Sequence, residues 1–334
     1  MKIDFFSAKK YDISFFNDAN KTTGFDIVYH ETHLGPHSLN MIADAKAVCV
    51  FVNDKLTREV IEQLAKKGIK IIALRCAGFN NVDIDAAKEF KISVCRVPSY
   101  SPEAVAEHAT AMLLTINRKT HKAYNRVREQ NFSLDGLLGN NLFGKTVGVI
   151  GTGKIGKAFI KIMLGFGCKI LAFDVNPDVE LKEKCVVYVP LEKLFKDSNI
   201  ISLHCPLTKD NHYIINKKTI NLMQKGVTII NTSRGGLLNT TDVIEGLKTK
   251  KIAALCIDVY EQEETLFFKD LSLEIIDDDK IQRLISFPNV LLTAHQAFFT
   301  KEALEEIAEI TLDSISKLDK NTMPKNAPTM LNFR

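Results

Sequence analysis

Short apolar runs alternate with amphipathic stretches along most of this chain. In the first hundred residues, Ile3–Phe6, Phe25–Tyr29, Ala47–Val52, Lys70–Leu74 and Ser93–Val97 have the length and apolar density of buried strands. Between them, Leu56–Lys67 (LTREVIEQLAKK) and Asp83–Phe90 carry apolar residues at helical spacing. Pro98 and Pro102 interrupt this rhythm, and Glu103–Asn117 follows as a helix with Pro102 near its first turn. The polar stretch Lys119–Asn141 carries no predicted element. A second series then places strands at Thr146–Ile150, Lys169–Phe173, Val186–Val189, Asn199–Leu203, Val227–Asn231, Ile252–Ile257 and Val290–Thr293. A closing helix, Lys301–Leu318, lines up Leu304, Ile307, Ala308, Ile315 and Leu318 on one stripe. The long stretch 264–287, with Asp277, Asp278 and Asp279, reads as a solvated surface element. Alternating strand and helix predicts an α/β protein of two doubly wound parallel-sheet domains, with a boundary near residue 100.

Composition narrows the class without changing that picture. Over 334 residues, 46% apolar and 25% charged is ordinary for a globular protein, and about two domains fit the length. A net charge of +4, evenly spread, gives no nucleic-acid surface. No run approaches the ~20 apolar residues of a membrane span, and Lys2, Asp4 and Lys9 break any secretion signal. A soluble, cytoplasmic protein is expected. The 7 cysteines are odd in number, far apart and mostly inside apolar runs, so they read as reduced core residues. His30, His33 and His37 only weakly imitate a metal cluster, and no metal is expected.

The segment VGVIGTGKIGKAFIKIMLGFGCKILAFD carries the most specific chemistry. Its GxGxxG follows an apolar strand, opens an apolar helix and meets an acid at the end of the next strand. Gly151 permits the tight turn, Gly153 lets backbone approach a pyrophosphate, and Gly156 lets helix and strand pack closely. The helix N-terminus then favours the anion. Asp174 stands about twenty residues on, where a carboxylate accepts from a ribose 2′-hydroxyl and repels a 2′-phosphate. NAD is the expected cofactor, since VNPDVE offers no Arg or Lys for NADP.

In open parallel sheets, ligands sit outside the carboxyl ends of strands. Polar residues accumulate there: His204-Cys205-Pro206, Thr232-Ser233-Arg234, Asp258-Val259-Tyr260-Glu261-Gln262-Glu263, and His295-Gln296-Ala297. An Arg, a Glu and a His at one edge suit hydride transfer between NAD and a 2-hydroxy acid. The His exchanges the hydroxyl proton, a carboxylate orients it, and the Arg binds the substrate carboxylate and polarises its carbonyl. Each has a plainer reading as a core histidine, a surface ion pair or a solvent-facing acid. Periodicity does not choose among Glu261, Glu263 and Glu264.

The stretches CAGFNNVD (76–83), VPSYSPEAVAEHA (97–109), GVIGTGKIG (148–156), ISLHCPLT (201–208), NTSRGG (231–236), DVYEQE (258–263) and AHQAF (294–298) resemble the D-isomer-specific 2-hydroxyacid dehydrogenases, most closely their fermentative D-lactate branch. The resemblance implies catalytic roles for Arg234, Glu263 and His295. It implies cofactor contacts at Gly151, Gly153, Lys154, Ile155, Gly156, Asp174, Cys205, Pro206, Asn211, Thr232, Ser233, Arg234 and Asp258. Cys76, Ala77 and Gly78 resemble a backbone clamp on the substrate carboxylate. Tyr100 and Phe298 match pocket-lining residues, beside Arg234 and His295. The resemblance also moves the boundary. A Rossmann NAD domain, 101–298, is inserted into a flavodoxin-like substrate domain, 1–100 completed by 299–334, with hinges near Ser99–Pro102 and Ala297–Thr300 whose closing would exclude water. It further implies a homodimer, or a dimer of dimers, through Glu103–Asn117 and the following arm. The expected substrates are pyruvate and D-lactate. A bulkier 2-oxo acid such as 2-oxoisocaproate and a NADH-sensing corepressor are the alternatives. A phosphoglycerate dehydrogenase is disfavoured because no regulatory domain follows residue 334.

Overall fold

Both halves of the chain build sheets whose central strands are apolar on two faces. The computed structural model describes residues 1–183, 185–324 and 326–332. These divide into two compact units, Met1–Ser101 with Phe299–Arg334, and Pro102–Phe298.

The first unit runs β1 (Lys2–Phe5), α1 (Lys10–Asn20), β2 (Asp26–Tyr29), β3 (Ala47–Val50), α2 (Arg58–Lys66), β4 (Ile71–Leu74), α3 (Ile84–Glu89) and β5 (Ser93–Arg96). The second runs α4 (Pro102–Arg118), α5 (Thr120–Arg128), β6 (Thr146–Ile150), α6 (Lys154–Gly165), β7 (Lys169–Phe173), α7 (Val179–Glu183) and β8 (Val186–Tyr188). It continues through α8 (Leu191–Asp197), β9 (Ile200–Leu203), α9 (Lys217–Leu222), β10 (Val227–Asn231), α10 (Thr240–Lys248), β11 (Ile252–Ile257), α11 (Asp279–Ser286) and β12 (Val290–Leu292). α12 (Lys301–Asp319) and β13 (Met330–Asn332) return to the first unit.

Strand order in the first sheet is β13-β5-β4-β3-β1-β2. Its parallel part is the 2-1-3-4-5 order of flavodoxin-like folds. The second sheet, β12-β11-β10-β9-β6-β7-β8, is the Rossmann order 3-2-1-4-5-6 with one strand added. Side chains alternate between faces with the strand period of two. Ile201, Ile229 and Leu255 join the core under α8, α9 and α10, whereas Ile200, Ile230 and Cys256 join the one under α4 and α6. That double burial is why the strands read as unbroken apolar runs.

The two doubly wound sheets are as expected, and two stretches and one sheet edge differ in detail. The first sheet is not wholly parallel, because β13 pairs antiparallel with β5 and covers its edge. The stretch 119–141 contains α5, a helix with no buried residue. The 264–287 stretch is only partly solvated: Phe267, Ile281 and Leu284 are buried, while Leu273 and Ile275 are exposed. Asp278 caps α11 by accepting from the Lys280 and Ile281 N–H groups, and it also receives the Tyr260 hydroxyl. Of the cysteines, Cys49, Cys76, Cys95, Cys168 and Cys256 are buried and unbridged, and Cys185 is exposed. His30 bonds Asp4 and His33 bonds Ser7, which accounts for two of the three clustered histidines. Among the described residues, no helix is long and apolar enough to cross a membrane.

Candidate active site

In the second unit the strand order reverses between β6 and β9, the switch point where a crevice opens beyond the strand ends. Gly151 ends β6 with φ +94°, a conformation L side chains resist, and a Cβ there would sit 2.6 Å from the His204 carbonyl. A Cβ on Gly156 would meet the Gly151 oxygen at 2.1 Å, so α6 lies directly against the turn. A Cβ on Gly153 would touch nothing within 4 Å. The middle glycine therefore leaves backbone open at the start of α6. Gly153 caps that helix without a side-chain bond, so its first N–H groups remain available to an anion.

Asp174, at the end of β7, accepts from the Thr152 N–H at 2.6 Å and the Asn176 N–H at 2.8 Å. The Thr152 hydroxyl, itself held by the Tyr188 hydroxyl at 2.9 Å, bonds the same carboxylate. This fixes the acid at the rim of the glycine turn. Lys154 is exposed on the first turn of α6 and Ile155 half-buried beside it. Past β9, Cys205 is partly covered and burial raises its thiol to about 11, so it is no thiolate at neutral pH. Asn211 braces this loop through the Pro206 carbonyl and the Thr208 N–H. Past β10, the Ser233 hydroxyl donates to the Leu203 carbonyl at 3.0 Å. Thr232 Oγ1 is buried with no partner among the described residues. An open anion cradle, an acid at its rim and an orphaned hydroxyl fit a dinucleotide.

Three neighbouring strands deliver the charged groups. β10, β11 and β12 are adjacent and parallel, and Arg234, Glu263 and His295 follow their carboxyl ends. Gly235 draws two of these loops together: a Cβ there would lie 2.1 Å from the Tyr260 carbonyl carbon. His295 Nδ1 stands 2.9 Å from Glu263 Oε1. Glu263 Oε2 accepts from the Tyr260 N–H at 3.0 Å, which orients the carboxylate. Glu261 is spent on the Thr240 N–H and the Tyr213 hydroxyl, Glu264 is exposed, and Glu263 meets the imidazole. One guanidinium nitrogen of Arg234 donates to the Ser233 carbonyl at 2.7 Å, and its other donors have no acceptor among the described residues.

Asp258 is fully buried and bonded within the protein. Its oxygens accept from Thr293 Oγ1 at 2.5 Å and from the Gln296 and Ala297 N–H groups, both at 2.9 Å. Its own carbonyl takes the His295 N–H at 2.8 Å. Burial by itself would raise this carboxyl, but bonds from His108, Thr293 and the two amides hold it below the usual range. The result is a tight turn that keeps His295 at φ +52°, a strained backbone for a non-glycine residue. Sequence reasoning assigned Asp258 to the cofactor and did not foresee this anchoring. It also gave no role to Phe268, whose ring centroid lies 6.0 Å from that of His295 and whose φ is +63°. Phe298 is buried at the end of this unit.

The first unit carries the remaining candidates. Past β4, Cys76 is buried, Ala77 and Gly78 are half-buried, and the Cys76 thiol donates to the Gly78 carbonyl at 3.3 Å. Arg96, which sequence reasoning passed over, donates to the Ala77 carbonyl at 2.7 Å. Tyr100 is half-buried.

Residues 110–297 match the family model described as D-isomer specific 2-hydroxyacid dehydrogenase, NAD binding domain. The D-lactate dehydrogenase of Escherichia coli (strain K12) is 50% identical over 320 residues, 96% of this chain and 97% of that protein. The apo structure of D-lactate dehydrogenase from Escherichia coli superposes with a TM-score of 0.90 at 47% identity, covering 99% of this chain and 100% of the other. D-lactate dehydrogenase from Aquifex aeolicus, in complex with NAD and lactic acid, is similar at a TM-score of 0.87 and 36% identity, with 98% of each chain covered.

Proposed function

This chain belongs to the D-isomer specific 2-hydroxyacid dehydrogenases, and from that premise we propose that it interconverts pyruvate and D-lactate with NAD. The observation that carries the chemistry is the His295–Glu263 pair at 2.9 Å beyond the ends of β11 and β12. When bound, NADH supplies the hydride that reduces the substrate carbonyl carbon. His295 supplies the proton for the carbonyl oxygen from Nε2, because Nδ1 is held by Glu263. Glu263 stabilises the imidazolium and fixes its ring. Arg234 brings its uncommitted donors to the substrate carboxylate and carbonyl, where negative charge grows in the transition state. The N–H groups of Ala77 and Gly78 bind the substrate carboxylate, and the rings of Tyr100 and Phe298 are assigned to the substrate's side chain.

The half-buried Asp174 makes the chain select NAD over NADP. The enzyme works in the cytoplasm as a homodimer. The arm after α4 supports that assembly, for Tyr124, Phe132, Leu134, Leu138 and Phe143 are exposed along it. Comparing kcat/KM for pyruvate with that for 2-oxoisocaproate tests the assignment. Pyruvate is expected to be preferred, and a clear preference for the branched acid overturns the lactate assignment. Negligible turnover of both, with NADH still bound, points instead to a NADH-sensing corepressor.

A further inference from the structure

The turn after β4 has a one-sided hydrogen-bond pattern. Three consecutive carbonyls are tied back into the protein: Cys76 O accepts from the Val97 N–H at 3.2 Å, Ala77 O from Arg96 at 2.7 Å, and Gly78 O from the Cys76 thiol at 3.3 Å. The N–H groups of Ala77, Gly78 and Phe79 have no acceptor among the described residues. Successive free amides form a concavity that attracts an anion.

Arg96 holds this arrangement from β5, the strand beside β4, where it pairs in register with Leu74. Its guanidinium donates to the Ala77 carbonyl and lies over the Phe79 ring, 5.0 Å from the centroid, so it grips the turn at two points. Among the described residues no carboxylate lies within ion-pair distance, and its Nε is buried without an acceptor. A cation without a counter-charge beside an amide cradle raises the local positive potential.

We infer that Arg96 is a positioning residue for the substrate carboxylate: it turns the Ala77 peptide so that its neighbouring amides face the anion, and it supplies the positive field behind them. The inference rests on the assignment of Ala77 and Gly78 as carboxylate ligands. It separates affinity for the 2-oxo acid from the chemical step, since Arg96 acts through the turn that carries the amides.

The test uses the full-length enzyme with Arg96→Gln and Arg96→Lys, measured beside the wild type. Glutamine should raise KM for pyruvate and Ki for oxamate, a pyruvate isostere, by about tenfold or more, the scale of a lost charged hydrogen bond. kcat should change less than about threefold and Kd for NADH less than about twofold. Lysine keeps the charge but loses the planar fork, and should recover part of the affinity. Phe79→Leu, which removes only the stacked ring, should raise KM modestly at unchanged kcat and guards against a glutamine variant that fails to fold. An unchanged pyruvate KM in folded variants, or a loss of NADH affinity in parallel with KM, overturns the role of Arg96 and leaves the enzyme assignment standing. A wild type inactive on pyruvate overturns both.

Discussion

Gly235→Ala is the smallest change that should disable this enzyme without removing a charged group. The added Cβ would stand 2.1 Å from the Tyr260 carbonyl carbon, 2.2 Å from its oxygen and 2.4 Å from the Glu261 nitrogen. All three are backbone atoms, so no side chain can swing aside. Restoring an ordinary carbon contact of about 3.5 Å requires the two loops to part by more than about 1 Å. Arg234 precedes Gly235 directly, and Glu263 lies three residues past Tyr260 with its carboxylate on the Tyr260 N–H. Displacing one loop therefore separates the guanidinium from the Glu263–His295 pair. A misplacement of that size lowers rate by about 10²-fold. Steady-state kcat/KM with pyruvate measures it, beside NADH affinity by fluorescence. Gly165→Ala is the matched control: a Cβ there meets nothing within 4 Å in the last turn of α6, and alanine should leave activity intact while stabilising the helix by about 0.5–1 kcal/mol. Wild-type kcat/KM in Gly235→Ala would show that backbone contact does not hold these loops.

Two further outcomes are expected. His204 is buried beneath the glycine turn, and burial pushes its imidazole down to about 3. Below the ordinary histidine value of ~6.5, the unfolded chain takes up a proton that the folded one refuses, so stability falls as pH drops at about 1.4 kcal/mol per pH unit. His204→Leu removes that contribution, and urea unfolding from pH 7 to 4 should show a shallower decline; parallel curves would count against it. Asp174→Ala should weaken NADH binding by about 10–100-fold and relax rejection of NADPH, since a charged hydrogen bond and a like-charge barrier both vanish. Unchanged cofactor preference on titration with both would remove the ribose contact.

The central strands of both sheets were legible because they are apolar on two faces, so the runs at 47–50, 71–74, 146–150 and 227–231 stand out of the pattern unaided. Elements with little burial escaped. α1 buries only Asp12 and Phe16, α5 buries nothing, and β13 is held by antiparallel pairing and by the Asn332 side chain rather than by an apolar run. The glycine turn and the strand-end acids were readable as types. Which of three neighbouring glutamates serves His295 depends on where Thr240 and Tyr213 lie, and periodicity does not encode that. Arg96 was invisible for the same reason, because it meets Ala77 only through the pairing of β4 and β5. Asp258 was assigned by resemblance to the cofactor, whereas its buried bonds to the 293–297 turn are a tertiary fact.

The most direct test is a double-mutant cycle on the His295–Glu263 pair, read as kcat for pyruvate reduction. His295→Gln should lower turnover by about 10²–10⁴-fold with NADH affinity nearly retained. Adding Glu263→Gln to that variant should lower it little further, because the carboxylate acts only through the imidazole. Independent, multiplying losses, or a His295→Gln enzyme within a few-fold of the wild type, would contradict the account.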